Sequence, residues 1–269
     1  MKIATGLLIW ICVCVGTWVG LAGTARADRT DRWLLRNSRV KQAYQTRRAG
    51  LQAAFAKQGL TYPARRVFIR VLKQERVLEL WAAGGSGPYK RIKSYPICAA
   101  SGELGPKRKQ GDGQVPEGFY RVQVFNPWSS YHLSLGIDYP NRADRILGVK
   151  GHLGSAIMLH GACASIGCVA ITDDLIEEVY LAAAEAHAAS RQPVNVHIFP
   201  TRLDAAGLAG LKRRHAGKPA LLSFWANLQP GFEHFERHRS LPAIKVDRKG
   251  RYVVVTGRGR PPAVAAIAR

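Results

Sequence analysis

The chain has 269 residues, 47% hydrophobic and 22% charged, a balance that permits a buried core in one sizeable domain with tails, or in two small ones. Lysine and arginine number 40 against 18 acids, a net charge of +22, which favours a polyanionic partner such as nucleic acid, anionic lipid or an acidic wall polymer. A solvated basic surface without a partner accounts for the same charge equally well.

The first 27 residues, "MKIATGLLIWICVCVGTWVGLAGTARA", place Lys2 before an apolar run from Ile3 to about Leu21 and end on Ala25-Arg26-Ala27. That is the pattern of a secretory signal cleaved after Ala27. The run is long for a signal, so an uncleaved N-terminal anchor is the alternative. Either reading predicts an exported body at the cell envelope or in the periplasm. Removing Lys2 and Arg26 leaves 38 basic residues against 18 acids, or +20. Export argues against nucleic acid as a partner, as does the lack of an interleaved aromatic-basic motif. Of five cysteines, Cys98, Cys163 and Cys168 remain in the exported body. An odd number in an oxidising compartment leaves one thiol free or paired elsewhere.

Residues 28–62 form an expected helical lead-in, with Val40, Tyr44, Leu51 and Phe55 near one face and Gly59 and Pro63 as stops. "RVFIRVLKQERVLELWAA" predicts a hairpin, with apolar runs at 67–72 and 77–82 around a polar turn. "KRIKSYPICAA" and "EGFYRVQVF" predict further strands, separated by a loop rich in Gly, Pro and Lys. "SAIMLHG" reads as a short buried strand ending at His160. "ITDDLIEEVYLAAAEAHAAS" predicts a capped helix, with Glu177 three residues after Asp174. "PVNVHIFP" predicts a strand between prolines. Residues 63–200 thus read as the central domain. Residues 201–256 read as a flank with an aromatic cluster (Phe224, Trp225, Phe232, Phe235) and a short strand, and 257–269 as a flexible tail.

The chemistry concentrates in "HGACASIGC", residues 160–168. A zinc site would take His160, Cys163 and Cys168, perhaps with His152, but the spacing lacks a C-x2-C knuckle. A Cys163–Cys168 disulfide closing a small loop is the structural alternative. The third reading is a nucleophile with its base. A free thiol is mostly protonated at neutral pH, and a nearby histidine is needed to take the proton. Gly161 and Gly167 permit unusual dihedrals or close approach, and the amides around Gly167 and Cys168 then face a developing oxyanion.

"HGACASIGCVAIT" resembles the catalytic signature of the L,D-transpeptidase (YkuD-type) family, in which a strand-end H-G precedes S-x-G-C. "GDGQVPEGFYRV" is similar to the family's T-P-x-G-x-Y/F segment. "YPICAASGELGPK", "NPWSSYHLSLGIDYPN", "FPTRL" and "FWANLQPGFEHFE" resemble a murein-processing branch of it. The likeness runs from about Arg65 to Tyr252. It implies an α+β fold: a mostly β, mixed, sandwich-like domain with flanking helices. It implies Cys168 as the acyl-forming nucleophile and His160 as the base, oriented by the Gly161 carbonyl. Gly161, Ser165 and Gly167 would shape the turn and the oxyanion hole. It further implies stem peptides carrying meso-diaminopimelate as substrates, no metal and no other cofactor. The partner is then peptidoglycan, an anionic polymer that suits a basic protein, together with a wall-linked lipoprotein in the branch that releases such proteins. With Cys168 given to catalysis, Cys98 and Cys163 are left to pair.

Two positions depart from the family pattern: Ile166 stands where a second histidine is usual, and Ala170 where Arg or Asn is usual. Both bear on the acyl acceptor. Tyr131 and His132, in "SSYHLSLG", are candidates for lining the substrate cleft, with a turn histidine as the plainer reading of His132. His197, within an apolar strand, reads as a core histidine. Lys107, Arg108 and Lys109 form a basic loop, by default solvated and alternatively in contact with substrate carboxylates. An amidase or peptidase using water as acceptor, and a wall-binding module without activity, are the competing functions.

Overall fold

The computed structural model describes residues 36–255. The expected export segment (1–27), the start of the helical lead-in and the expected tail (257–269) lie outside the described residues. Helix α1, Ser38–Lys57, starts where the Asn37 side chain accepts from the N–H groups of Arg39 and Val40. It buries Val40, Ala43, Leu51 and Phe55. Beside these residues lie the part-buried Arg47 and Arg48, which pair with Glu177 at 2.7 Å and Glu185 at 3.4 Å on a second long helix.

The expected hairpin is β1 (Arg66–Leu72) and β2 (Val77–Ala83), paired antiparallel from Arg66↔Ala83 to Leu72↔Val77. Strand β3 (Lys90–Pro96) pairs with β2 on the outer side, and β9 (Asn195–Phe199) runs parallel to β1 on the inner side. Strand β1 is buried on both faces, which is why its sequence is a continuous apolar run rather than an alternating one. Val67, Ile69 and Val71 face the core shared with α1 and with α3, Asp173–Ser190. Phe68 and Leu72 join the aromatic cores on the other side, with Phe235 and with Phe199, Trp225 and Phe232. Each such side chain contributes about 1.5–3 kcal/mol on burial.

Strand β5 (Gly118–Asn126) joins the two halves of the sheet. Its first residues pair with β9, Gly118↔Ile198 to Arg121↔Asn195, and its last with β6 (Ser134–Ile137), Val122↔Ile137 to Asn126↔Ser134. An irregularity between Val122 and Val124 re-aims the strand at that handover. Beyond β6 come β7 (Met158–His160), β8 (Val169–Ala170) and β4 (Ala99–Ala100), giving the order β3-β2-β1-β9-β5-β6-β7-β8-β4. The fold is α+β, a mixed, curled nine-stranded sheet with flanking helices.

Some expectations need correction. Helix α3 has Thr172 as its N-cap without a side-chain cap bond; Asp174 lies inside the first turn, so Glu177 is not at the reciprocal position of a capping box and bonds instead to Arg47 and His132. The stretch around His132 runs directly into β6, every residue of which is buried. A short helix α2, Arg142–Leu147, lies beyond the expected elements and carries a capping box between Asn141 and Asp144. The C-terminal flank holds two helices, α4 (Ala205–Arg214) and α5 (Pro219–His238), before the hairpin of β10 (Ile244–Val246) and β11 (Tyr252–Val254). Pro230 lies inside α5. Its cost of about 3 kcal/mol is offset by burial of Trp225, Leu228, Phe232 and Phe235 on one face. The aromatic cluster is therefore core.

A disulfide joins Cys98, just before β4, to Cys163 in the loop between β7 and β8, across 65 residues of sequence. Strand β4 has only two residues, so the covalent link reinforces the few hydrogen bonds to β8 and from Arg76 that hold this edge of the sheet. One free thiol is expected in the protein lacking residues 1–27, by titration in denaturant without reductant. Replacing Cys98 and Cys163 together by alanine should lower stability by about 3 kcal/mol, read by denaturant unfolding; an unchanged midpoint would show that the link carries no load.

His197 lies wholly buried among the rings of Phe68, Phe119 and Phe199. Burial, reinforced by repulsion from Arg70, holds its pKa down at about 3. The folded state thus binds fewer protons than the unfolded chain, so this group's stability is present above the ordinary histidine pKa. It is lost as pH falls from there toward the folded value. His197→Gln should flatten the acid limb of the stability profile by about 1.5 kcal/mol between pH 6.5 and pH 5. Parallel profiles for the two proteins would contradict the assignment.

Candidate active site

Strand β7 ends at His160, and β8 begins at Val169 in parallel register, Leu159↔Val169 and His160↔Ala170. Carried back one residue, this register sets Cys168 level with Met158, and the Met158 N–H donates to Cys168 Sγ at 3.4 Å. Because side chains alternate along a strand, His160 and Cys168 fall on the same face as diagonal neighbours. Cys168 is the free cysteine among the described residues, and it is half-buried. Its thiol donates to the Ala156 carbonyl at 3.8 Å. Burial pushes the thiol pKa up, against the Met158 N–H and the Lys107 charge, which pull it down.

His160 is buried, and its Nδ1 donates to the Gly161 carbonyl at 2.6 Å. That bond fixes the tautomer and leaves Nε2 as the acceptor. Burial lowers the His160 pKa, with the Gly161 bond opposing it. Thiol and imidazole are accordingly both neutral at rest. The Tyr131 ring lies 4.7 Å from the His160 ring, tilted by 36°. Tyr131 is thus beside the candidate base and open to solvent.

The loop from 161 to 168 is held at every turn. Gly161 is required by crowding and not by an unusual φ: a Cβ there would overlap Asp173 Oδ1 and come within 3.0 Å of the Tyr131 carbonyl. Ala162 has φ +57, and its N–H donates to Asp173 Oδ1 at 2.7 Å. Gly167 has φ +102, the region that favours glycine. Ser165 Oγ accepts from the Cys168 N–H at 3.1 Å and donates to the Cys168 carbonyl at 2.7 Å.

The expected oxyanion donors take a different part in this state. The Gly167 N–H donates to Ser101 Oγ at 2.5 Å, and the Cys168 N–H to Ser165. Ser165 and Gly167 therefore brace the turn, and the N–H aimed at the sulfur is that of Met158. His132 Nε2 lies 2.9 Å from Glu177 Oε1, and its Cβ stands close behind Gly161. Cys163 is bonded to Cys98, which breaks the ligand set of the zinc reading and excludes a Cys163–Cys168 bridge. No group of three His, Cys, Asp or Glu able to hold a metal ion occurs among the described residues. Ser101, Met158, Ala156 and Asp173 were not singled out in the sequence. They act through backbone atoms or a lone hydroxyl or carboxylate, which leave no motif.

The family model of the L,D-transpeptidase catalytic domain (YkuD) matches residues 66–196, from the start of β1 into β9. The chain is 40% identical over 190 residues to "Putative L,D-transpeptidase YafK" of Escherichia coli (strain K12), covering 70% of this chain and 73% of that protein. The protein of the same name from Escherichia coli O157:H7 is equally similar, at 40% over 190 residues. Among solved structures, the helical cell shape determining protein Pgp2 from Campylobacter jejuni aligns with a TM-score of 0.42 and 18% identity, over 68% of this chain and 73% of that one. The chain belongs to the L,D-transpeptidase catalytic domain (YkuD) family.

Proposed function

We propose that this protein is an exported cysteine acyltransferase acting on peptidoglycan stem peptides at meso-diaminopimelate, through a thioacyl-enzyme. The observation that carries this reading is a free Cys168 thiol set by strand register on the same face as a buried His160, whose Nδ1 is committed to the Gly161 carbonyl. A wall-binding module without activity needs neither a thiol nor an oriented imidazole. Family membership and the basic charge support an anionic wall polymer as the partner.

In this mechanism His160 Nε2 takes the thiol proton as Cys168 Sγ attacks the carbonyl of the scissile amide. The tetrahedral intermediate collapses to a thioester, and the imidazolium returns the proton to the leaving amine. An amine or water then attacks the thioester with His160 again as base, releasing product and restoring the thiol. Because both groups are neutral at rest, the thiolate forms only as the proton moves. The Met158 N–H stabilises the charge on sulfur while it lasts.

A second reading, transfer to water, is favoured by the acceptor side. Ile166 is 87% exposed at the mouth of the cleft beside Cys168, and Ala170 is buried in β8. Neither side chain can hydrogen-bond an incoming amine. An amine acceptor must be bound and oriented to compete with water, so transfer weakens more than acyl-enzyme formation. In this reading the enzyme cleaves or exchanges diaminopimelate-linked peptide or protein.

Cys168→Ala should abolish turnover, a loss of at least about 10³-fold, and should also remove iodoacetamide labelling at that position while leaving the far-UV spectrum unchanged. Full labelling in that variant would place the reactive thiol elsewhere. His160→Ala should lose a similar factor at neutral pH, with the deficit narrowing as pH rises past the ordinary thiol range and thiolate forms unaided. A deficit that stays equally large above the pH at which Cys168 itself titrates, followed by its alkylation rate, would make His160 structural. Tetrapeptide muropeptides supplied with and without an amine acceptor should yield mainly hydrolysis by mass analysis; efficient dimer formation would reverse the acceptor assignment and leave the nucleophile and base in place.

A further inference from the structure

Ala156, whose carbonyl accepts from Cys168 Sγ at 3.8 Å, lines a cleft of about 280 Å³ together with Lys107, Gly111, Gly113, Ile157 and Ile166. Lys107 is the one charged side chain in that lining. It is only 6% exposed, a costly place for an ammonium. Its Nζ donates to Asp112 Oδ1 at 2.5 Å and to the Lys109 carbonyl at 2.9 Å. An ammonium has three N–H donors, so these two bonds leave one more.

Asp112 does more than neutralise this cation. It also accepts from the amides of Arg108 at 2.8 Å, Lys109 at 3.0 Å and Gln114 at 3.1 Å. Its charge is thus shared among four donors and serves to fold the loop. The loop is pinned to the opposite wall where the Gln110 N–H donates to the His152 carbonyl at 2.6 Å and the Val149 N–H to the Arg108 carbonyl at 2.8 Å. A Cβ at Gly111 or Gly113 would meet nothing within 4 Å, so the backbone there opens on free space. The three amides alone could organise the Asp112 turn. A buried ammonium beside the candidate nucleophile is not needed for it, and a neutral chain of the same length would fill the volume.

We propose that this cleft is a carboxylate-recognition subsite in which the Lys107 ammonium, braced by Asp112 and the Lys109 carbonyl, binds a free carboxylate of the peptide substrate next to the bond attacked by Cys168. The assignment rests on the acyl-transfer reading for the identity of the substrate, though not for the carboxylate chemistry. A stem peptide offers two such groups near the bond, the side-chain carboxylate of diaminopimelate and the terminal carboxylate of the leaving residue.

Cys168 itself reports on the subsite. Its labelling rates are measured with paired probes that differ only in charge, iodoacetate against iodoacetamide and 3-maleimidopropionate against its amide. Each acid-to-amide ratio is normalised to that of the unfolded chain, which cancels any change in the reactivity of the thiol. The native protein should favour the acid by about tenfold, as one charge-assisted hydrogen bond provides. Lys107→Met should bring the ratio to about one, and Lys107→Arg should retain most of the preference. A ratio near one in the native protein overturns the subsite, and so does an unchanged ratio in Lys107→Met. Equal slowing of both probes in that variant also overturns it, since Lys107 would then act on the thiol alone. If Lys107→Met does not fold, the native ratio and Lys107→Arg decide. Stem peptides amidated at one or the other carboxylate then show which group is read, by which amide costs the native enzyme turnover and Lys107→Met nothing further. A charge-dependent ratio without turnover of any stem peptide would keep the subsite and discard the acyl-transfer reading.

Discussion

The geometry of the site depends on the parallel pairing of β7 with β8. Parallel neighbours in a sheet usually need a crossover of a dozen or more residues. Here the chain leaves β7 at His160 and enters β8 at Val169, with only residues 161–168 between. So short a return sets base and thiol on the same face, and it must be forced. The forcing is visible in left-handed Ala162 and Gly167, in the Asp173 carboxylate that anchors the Ala162 amide, and in the two serine hydroxyls on the following amides. A non-glycine residue in the left-handed region costs about 1–2 kcal/mol, and the covalent tie from Cys98 to Cys163 offsets it. The supports come from elements distant in sequence: β4 through the disulfide, the 101–114 loop through Ser101, and α3 through Asp173.

Electrostatics completes what the backbone begins. Burial moves the thiol and imidazole pKa values in opposite directions, each away from its ion. The resting pair is neutral, with the sulfur's hydrogen aimed at the Ala156 carbonyl. Such a thiol is protected from adventitious oxidation, which tracks thiolate character. The same burial makes each nearby polar group count for more. The Met158 N–H and the Lys107 ammonium are two that favour negative charge at this place, and the proposed chemistry and carboxylate subsite draw on both.

Much of this was legible in the sequence because it was carried by patterns. The apolar runs around Lys73–Arg76 gave the hairpin in its observed place, and the Cys168–His160 spacing with its glycines pointed to the site. What escaped was determined by tertiary context. Helix α5 contains Pro230 and Gly231, breakers by local propensity, and stands because its aromatic face is buried. Strand β6 hides behind a polar approach, Ser129 to His132, whose groups are satisfied locally or by Glu177. Gly161 was legible as a place of close approach, but that the crowding atoms belong to Asp173 and Tyr131 cannot be read without the fold. The resting partner of the Gly167 amide was not legible because Ser101 lies 66 residues away, and no local pattern links them.

The most direct measurement of the central claim is intact-protein mass after acid quench during turnover of a tetrapeptide stem. The account predicts an acyl adduct of the stem peptide, base-labile and located at Cys168 by peptide mapping, that forms and decays at rates matching product release. Turnover with no adduct on Cys168, or with the adduct on another residue, would contradict it.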